Sequence, residues 1–124
     1  MITRILTVAM IAGAASGLTI GAHARSVYDG GWSVAVYGQS GSCQGGSYQF
    51  PVQIVNGNIH YVGGDASVSG RVSSSGSVAV RIATSDRNAV GAGRLSRSYG
   101  SGTFRGRSAS GLCAGTWTGQ RTSP

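Results

Sequence analysis

Beyond residue 24, apolar residues recur at every second position and no helical period appears. Trp32, Val34 and Val36 share one face of a stretch over 31–38. Tyr48, Phe50, Val52 and Ile54 share one face of 47–55. Such alternation suits extended strands with one face buried and the other in water. Lys and Glu are both absent, which removes the usual material of long exposed helices. An all-β chain is therefore expected.

Turn chemistry then sets the register. Asn56-Gly57 is a strong two-residue hairpin signal. It places Val55 opposite Asn58, Ile54 opposite Ile59, Gln53 opposite His60 and Val52 opposite Tyr61, so apolar meets apolar on one face. Ser74-Ser75-Gly76 reads as a three-residue loop ending in the Gly that a bulged hairpin prefers. Val72 then faces Val78, and Val68 faces Ile82. Further strands are expected near 88–96, 102–108 and 113–121. Two internal echoes support a meander. Gly70-Arg71-Val72-Ser73-Ser74-Ser75 recurs as Gly93-Arg94-Leu95-Ser96-Arg97-Ser98, and Ser33-Val34-Ala35-Val36 as Ser77-Val78-Ala79-Val80.

Eight short strands in one domain make an up-and-down antiparallel barrel or a small sandwich. The two cysteines favour the barrel. Cys43 lies just past the first strand and Cys113 opens the eighth, and barrel closure makes those points neighbours. A Cys43–Cys113 disulfide would tie the seam; a free buried pair and an intermolecular bridge are the alternatives. The same closure brings Trp32 near Arg121, so that a guanidinium stacks on the indole. A transmembrane barrel needs strands of about 9–11 residues with an outward apolar band. The expected strands are shorter, and their second faces carry Ser, Gln, Thr and Arg, so that architecture is set aside.

Residues 1–24 read as a cleaved signal peptide. Arg4 gives a positive start, 5–20 is an apolar run, and Ala22-His23-Ala24 is a small-x-small cleavage site. The alternative is an uncleaved anchor. The mature domain is then 25–124, exported to the periplasm or beyond, with no later stretch able to span a bilayer as a helix. Export permits the disulfide.

Gly30-Gly31-Trp32 together with Arg121 resembles the calycin pattern of lipocalins and their relatives. That resemblance implies a Trp packed at the barrel base under an Arg from the last strand. Gly115-Thr116-Trp117 is similar to avidin-like strands, with no biotin site to carry over. Over the mature length the chain resembles a group of small exported proteobacterial single-disulfide β-proteins of unassigned function. The matching features are Trp32-Ser33-Val34, Cys43, and the segments 48–57, 69–72, 93–96, 101–106 and 113–118. Labels mentioning adhesion or haem utilisation occur in that group, which implies an adhesion-type exoprotein as one reading.

The residues argue against catalysis. Asp29, Asp65, Asp86 and His60 are the titratable set, with the Asp residues before a strand or in turns. Ser67, His60 and Asp65 lack a nucleophile elbow and an oxyanion loop. Two Cys and one mature His fall short of a structural zinc site, no haem ligand pair is evident, and no phosphate loop precedes a helix. No enzyme activity, metal or cofactor is expected.

Binding is the remaining class, and two surfaces offer it. With Val68, Val72, Val78, Ile82, Leu95 and Phe104 inward, parity puts Arg71, Arg81, Arg94, Arg105 and Arg107 on the outer wall. Arg forks match carboxylate, sulfate and phosphate. Anionic polysaccharide, lipopolysaccharide or a phospholipid surface is the expected partner, and cytosolic nucleic acid is not; a merely solvated face is the structural alternative. The barrel interior is the second surface. Tyr48, Phe50, Tyr61, Phe104 and Trp117 would line it, with Gly70, Gly93 and Gly106 leaving space. Eight strands enclose either a packed core or room for one small ligand. The expected function is recognition at the cell envelope through the Arg wall or the barrel mouth. The alternatives are a minimal hydrolase and a secreted-protease inhibitor resembling small one-disulfide periplasmic barrels. The inhibitor would act through the arm Arg25-Ser26-Val27-Tyr28.

Overall fold

A computed structural model describes residues 26–61 and 66–124. The expected signal peptide and Arg25 lie outside the described residues. The strands are β1 (Gly30–Gly41), β2 (Ser47–Val55), β3 (Asn58–Tyr61), β4 (Ser67–Val72), β5 (Ser77–Ala83), β6 (Arg87–Leu95), β7 (Tyr99–Ser108) and β8 (Gly111–Ser123). They close into one antiparallel barrel in chain order, with β8 returning to β1.

The hairpin registers are those the turns dictate. Val55 pairs with Asn58, Ile54 with Ile59, Gln53 with His60 and Val52 with Tyr61. Asn56 and Gly57 both have positive φ, 53° and 79°, the backbone of a turn whose twist matches the strands it joins. Val72 faces Val78 and Val68 faces Ile82. Gly76, at φ 94°, ends the intervening turn. The last two strands run longer than the alternation indicates, because Gly100 and Gly111 blank out positions that would mark the pattern, and β6 keeps the expected length but starts one residue earlier.

Strand length therefore does not separate this barrel from a transmembrane one: β1 has 12 residues, β7 has 10 and β8 has 13. The outer face does. Gln49, Gln53, Arg81, Arg105 and Gln120 are all exposed on it, and an Arg on a lipid-facing wall near mid-bilayer costs about 2–4 kcal/mol. Most apolar strand side chains point inward instead, with Tyr37, Val90 and Leu112 exposed among the polar residues.

The two ends of the barrel differ. At the base, Trp32 is 2% exposed and its Nε1 donates to the Tyr28 carbonyl at 2.9 Å. The Asp29 carboxylate accepts from the backbone N–H groups of Asn56 at 2.7 Å and Gly57 at 3.0 Å, capping the β2–β3 turn. Arg121 clamps the same segment. Its Nη1 donates to the Asp29 carbonyl at 2.5 Å, its Nη2 to the Val27 carbonyl at 2.6 Å and its Nε to the Arg97 carbonyl at 2.6 Å. Ser26-Val27-Tyr28 belongs to no strand, as its sequence indicates. It nonetheless forms part of the base, with Tyr28 buried, and does not project as an arm.

At the other end, Cys43 and Cys113 are bonded to each other, with Cα atoms 5.4 Å apart. Cys113 pairs with Gly41 across the β1–β8 seam. The bridge spans 70 residues, which in the chain-entropy model contributes about 4 kcal/mol by restricting the unfolded chain.

Candidate ligand-binding cavity

Buried apolar side chains gather toward the base of the interior. They include Trp32, Val52, Ile54, Ile59, Val72, Val78, Leu95 and Trp117, and of these all but Val72 also border the cavity that reaches down to them. The Trp117 indole lies against Gly91, Gly93 and Gly102, and its Nε1 donates to the Ala92 carbonyl at 3.2 Å. A Cβ at Gly93 would stand 2.6 Å from Trp117 Cζ2. Gly93 thus leaves no empty space, contrary to expectation: its missing side chain is the seat of the indole. Gly70 is likewise occupied, by Val80, whose Cγ2 would lie 2.9 Å from an added Cβ. Gly106 does border the hollow.

The cavity has a volume of about 820 Å³ and runs from Trp117 and the base cluster toward the disulfide end. Val34, Val36, Phe50, Val68, Ile82 and Phe104 supply its walls. It opens at the disulfide end, among the connections 41–47, 83–87 and 108–111. Ligand pockets of roughly 300–1,000 Å³ hold drug-sized molecules. The interior thus carries a buried apolar cluster toward the base and a cavity that most of that cluster borders.

The five aromatic residues expected to line the interior all border this space, in different ways. Phe50 and Tyr61 meet edge to face, with centroids 5.5 Å apart and planes at 88°. Phe104 lies against Gly115, and Trp117 is the floor. Tyr48 keeps the inward parity of Phe50 but lies beyond the rim of the wall and is 75% exposed, so it stands at the mouth.

The rim carries Thr84, Arg87, Asn88, Arg107, Ser108 and Ser110. Arg87 is the residue that the alternation missed. The strand begins one residue earlier than expected; counting back from buried Leu95 through Gly93, Gly91 and Ala89 puts Arg87 in the inward series. Arg107 has outward parity and also borders the mouth.

Arg71, Arg81, Arg94, Arg105 and Arg107 are all exposed. They form a spread rather than a cluster. Arg81 and Arg105 both pair with Val90, one on each side. Arg71 and Arg94 sit toward the base, and Arg94 Nη1 donates to the Ser75 carbonyl at 3.3 Å, holding the adjacent turn.

The polar residues weighed for catalysis are dispersed. His60 and Ser67 are exposed, and Asp65 lies outside the described residues. The Asp86 carboxylate accepts from the Thr84 hydroxyl at 3.2 Å. Asp29 is buried at the base. Its burial pushes the carboxyl up, but hydrogen bonds from the N–H groups of Gly57 and Asn56 and from Ser26 outweigh that, so it sits below its ordinary 3.8. Among the described residues no three His, Cys, Asp or Glu gather where they would hold a metal, and no helix is long and apolar enough to cross a membrane. Comparison with protein-family models, curated proteins and solved structures found no match for the chain.

Proposed function

We propose that this protein is an exported, non-catalytic binding barrel that takes a small apolar or amphiphilic molecule in through its disulfide-bearing mouth. The observation that carries this reading is the cavity of about 820 Å³ with aliphatic and aromatic walls, floored by Trp117 and open at one end. Water in such a space has few polar partners, so displacing it with apolar surface is favourable. The Cys43–Cys113 bond suits an oxidising compartment, and the expected signal peptide gives the route there. Titration with the neutral fluorescent probe N-phenylnaphthylamine tests the reading. One saturable site is expected, and Ala89→Trp, which projects a ring into the hollow from β6, should remove it. Probe emission that rises without saturating, or equally with the variant, would count against a cavity site.

A second reading rests on the outer wall. Arg81 and Arg105 flank half-exposed Val90 in one cross-strand row, a pattern suited to repeated anions on a polysaccharide or lipopolysaccharide. It concerns a different face and is separable by salt, because exposed charge contacts are screened and interior apolar ones are not.

A further inference from the structure

We infer that the cavity's ligand is a single-chain anionic amphiphile, its hydrocarbon tail on the Trp117 floor and its head between Arg87 and Arg107. This rests on the cavity reading above and gives the occupant a chemical class.

The tail follows from shape. Along β5 and the residue that follows it, the lining positions are Val78, Val80, Ile82 and Thr84, six residue steps that cover about 20 Å. A barrel strand tilted by about 35–45° turns that into roughly 15 Å of depth. The sequence of side chains along it runs from aliphatic at the floor to hydroxyl at the rim. The same gradient appears on β7, from Phe104 through Gly106 to Ser108. A molecule apolar along its length and polar at one end matches that gradient in one orientation only.

The head follows from charge. Among the described residues, Arg87 and Arg107 are the charged ones that border the cavity, and both lie at the mouth. Arg87 pairs with Ser108 and Asn88 with Arg107, so the two Arg occupy adjacent register positions on β6 and β7, Arg87 in the inward series and Arg107 in the outward one, and both border the mouth. Among the described residues neither guanidinium has a hydrogen-bond or ion-pair partner, unlike those of Arg94 and Arg121, which hold backbone carbonyls. Asp86 adjoins Arg87 in sequence, but it takes the Thr84 hydroxyl and does not border the cavity. Two uncommitted guanidinium forks over an apolar shaft favour an anionic head over a neutral or cationic one.

Competition for N-phenylnaphthylamine on the mature, oxidised protein tests this with three ligands of equal tail: decanoate, decanol and decyltrimethylammonium. Decanoate should displace the probe at about tenfold lower concentration than decanol, the scale of one charge-assisted contact, and the ammonium should be weakest. Arg87→Gln/Arg107→Gln should bring decanoate level with decanol while the probe still binds, which also shows that the variant is folded. Arg81→Gln/Arg105→Gln should leave the preference intact. Equal displacement by decanoate and decanol, or a preference that survives the rim variant or is lost in the wall variant, overturns the inference while the cavity reading stands. Absence of saturable probe binding removes both.

Discussion

Arg121 and Trp32 are cross-strand partners on the seam that closes the barrel, and the guanidinium carbon stands 5.1 Å from the indole centroid. The same side chain donates to three carbonyls of the segments it covers. One residue from the last strand thus locks the entry to the first, and the base becomes a fixed floor beneath an open cup.

Loss of that lock should be costly. Arg121→Gln gives up the stacking and the charge-assisted bonds, and a destabilisation of about 2–3 kcal/mol is expected. Thermal unfolding should show a drop of roughly 10 °C or more. Arg121→Lys should recover little, because an ammonium cannot reproduce the planar fork. Full rescue by Lys would mean that charge alone acts here.

Asp29 predicts an acid limb. Its carboxyl is depressed in the folded state by the turn N–H groups. A depressed carboxyl contributes stability that is fully present above its unfolded value, near 3.8, and is lost as pH falls through the lower folded value. Urea unfolding from pH 7 to pH 3 should therefore show stability falling below about pH 4. Asp29→Asn should be less stable at pH 7 and lose part of that fall. Parallel acid limbs for the two proteins would remove Asp29 as their source.

Gly93 should tolerate no side chain. Gly93→Ala places a methyl against Trp117 Cζ2 and the Ser101 carbonyl, and overpacking of this kind costs about 1–3 kcal/mol. Trp117 must tilt into the cavity, so Trp emission should shift and probe affinity fall. Gly111→Ala, where an added Cβ meets nothing within 4 Å but φ is 125°, should cost stability without altering probe affinity.

Reduction of Cys43–Cys113 should lower stability by up to about 4 kcal/mol. Denaturant unfolding of Cys43→Ser/Cys113→Ser should show a lower midpoint and a steeper slope, because the unfolded chain without its cross-link exposes more surface. An unchanged midpoint would mean that the seam is held by its strand pairing alone.

The early half of the barrel was legible because each hairpin carried two independent signals. At Asn56-Gly57 the turn type and the apolar alternation required the same register, and a slip by one residue would have exposed Ile54 and Ile59. Trp32, Arg121 and the cysteine pair followed from closure. Glycine obscured the rest. A blank at an inward position reads as empty space, yet Gly93 is blank because Trp117 arrives there from β8, a contact 24 residues away that no local pattern records. Arg87 was hidden for a related reason: Gly91 and Gly93 interrupt the apolar series that would have carried its parity inward.

Amide shift mapping of the isotope-labelled mature protein during decanoate titration probes the central claim most directly. Shifts should concentrate on the upper interior and rim, at Val36, Phe50, Val68, Ile82, Arg87 and Phe104, while Asp29, Asn56 and Gly57 at the base stay still. Shifts confined to Arg81, Val90 and Arg105, or no saturable shifts at all, would contradict a ligand-holding cup.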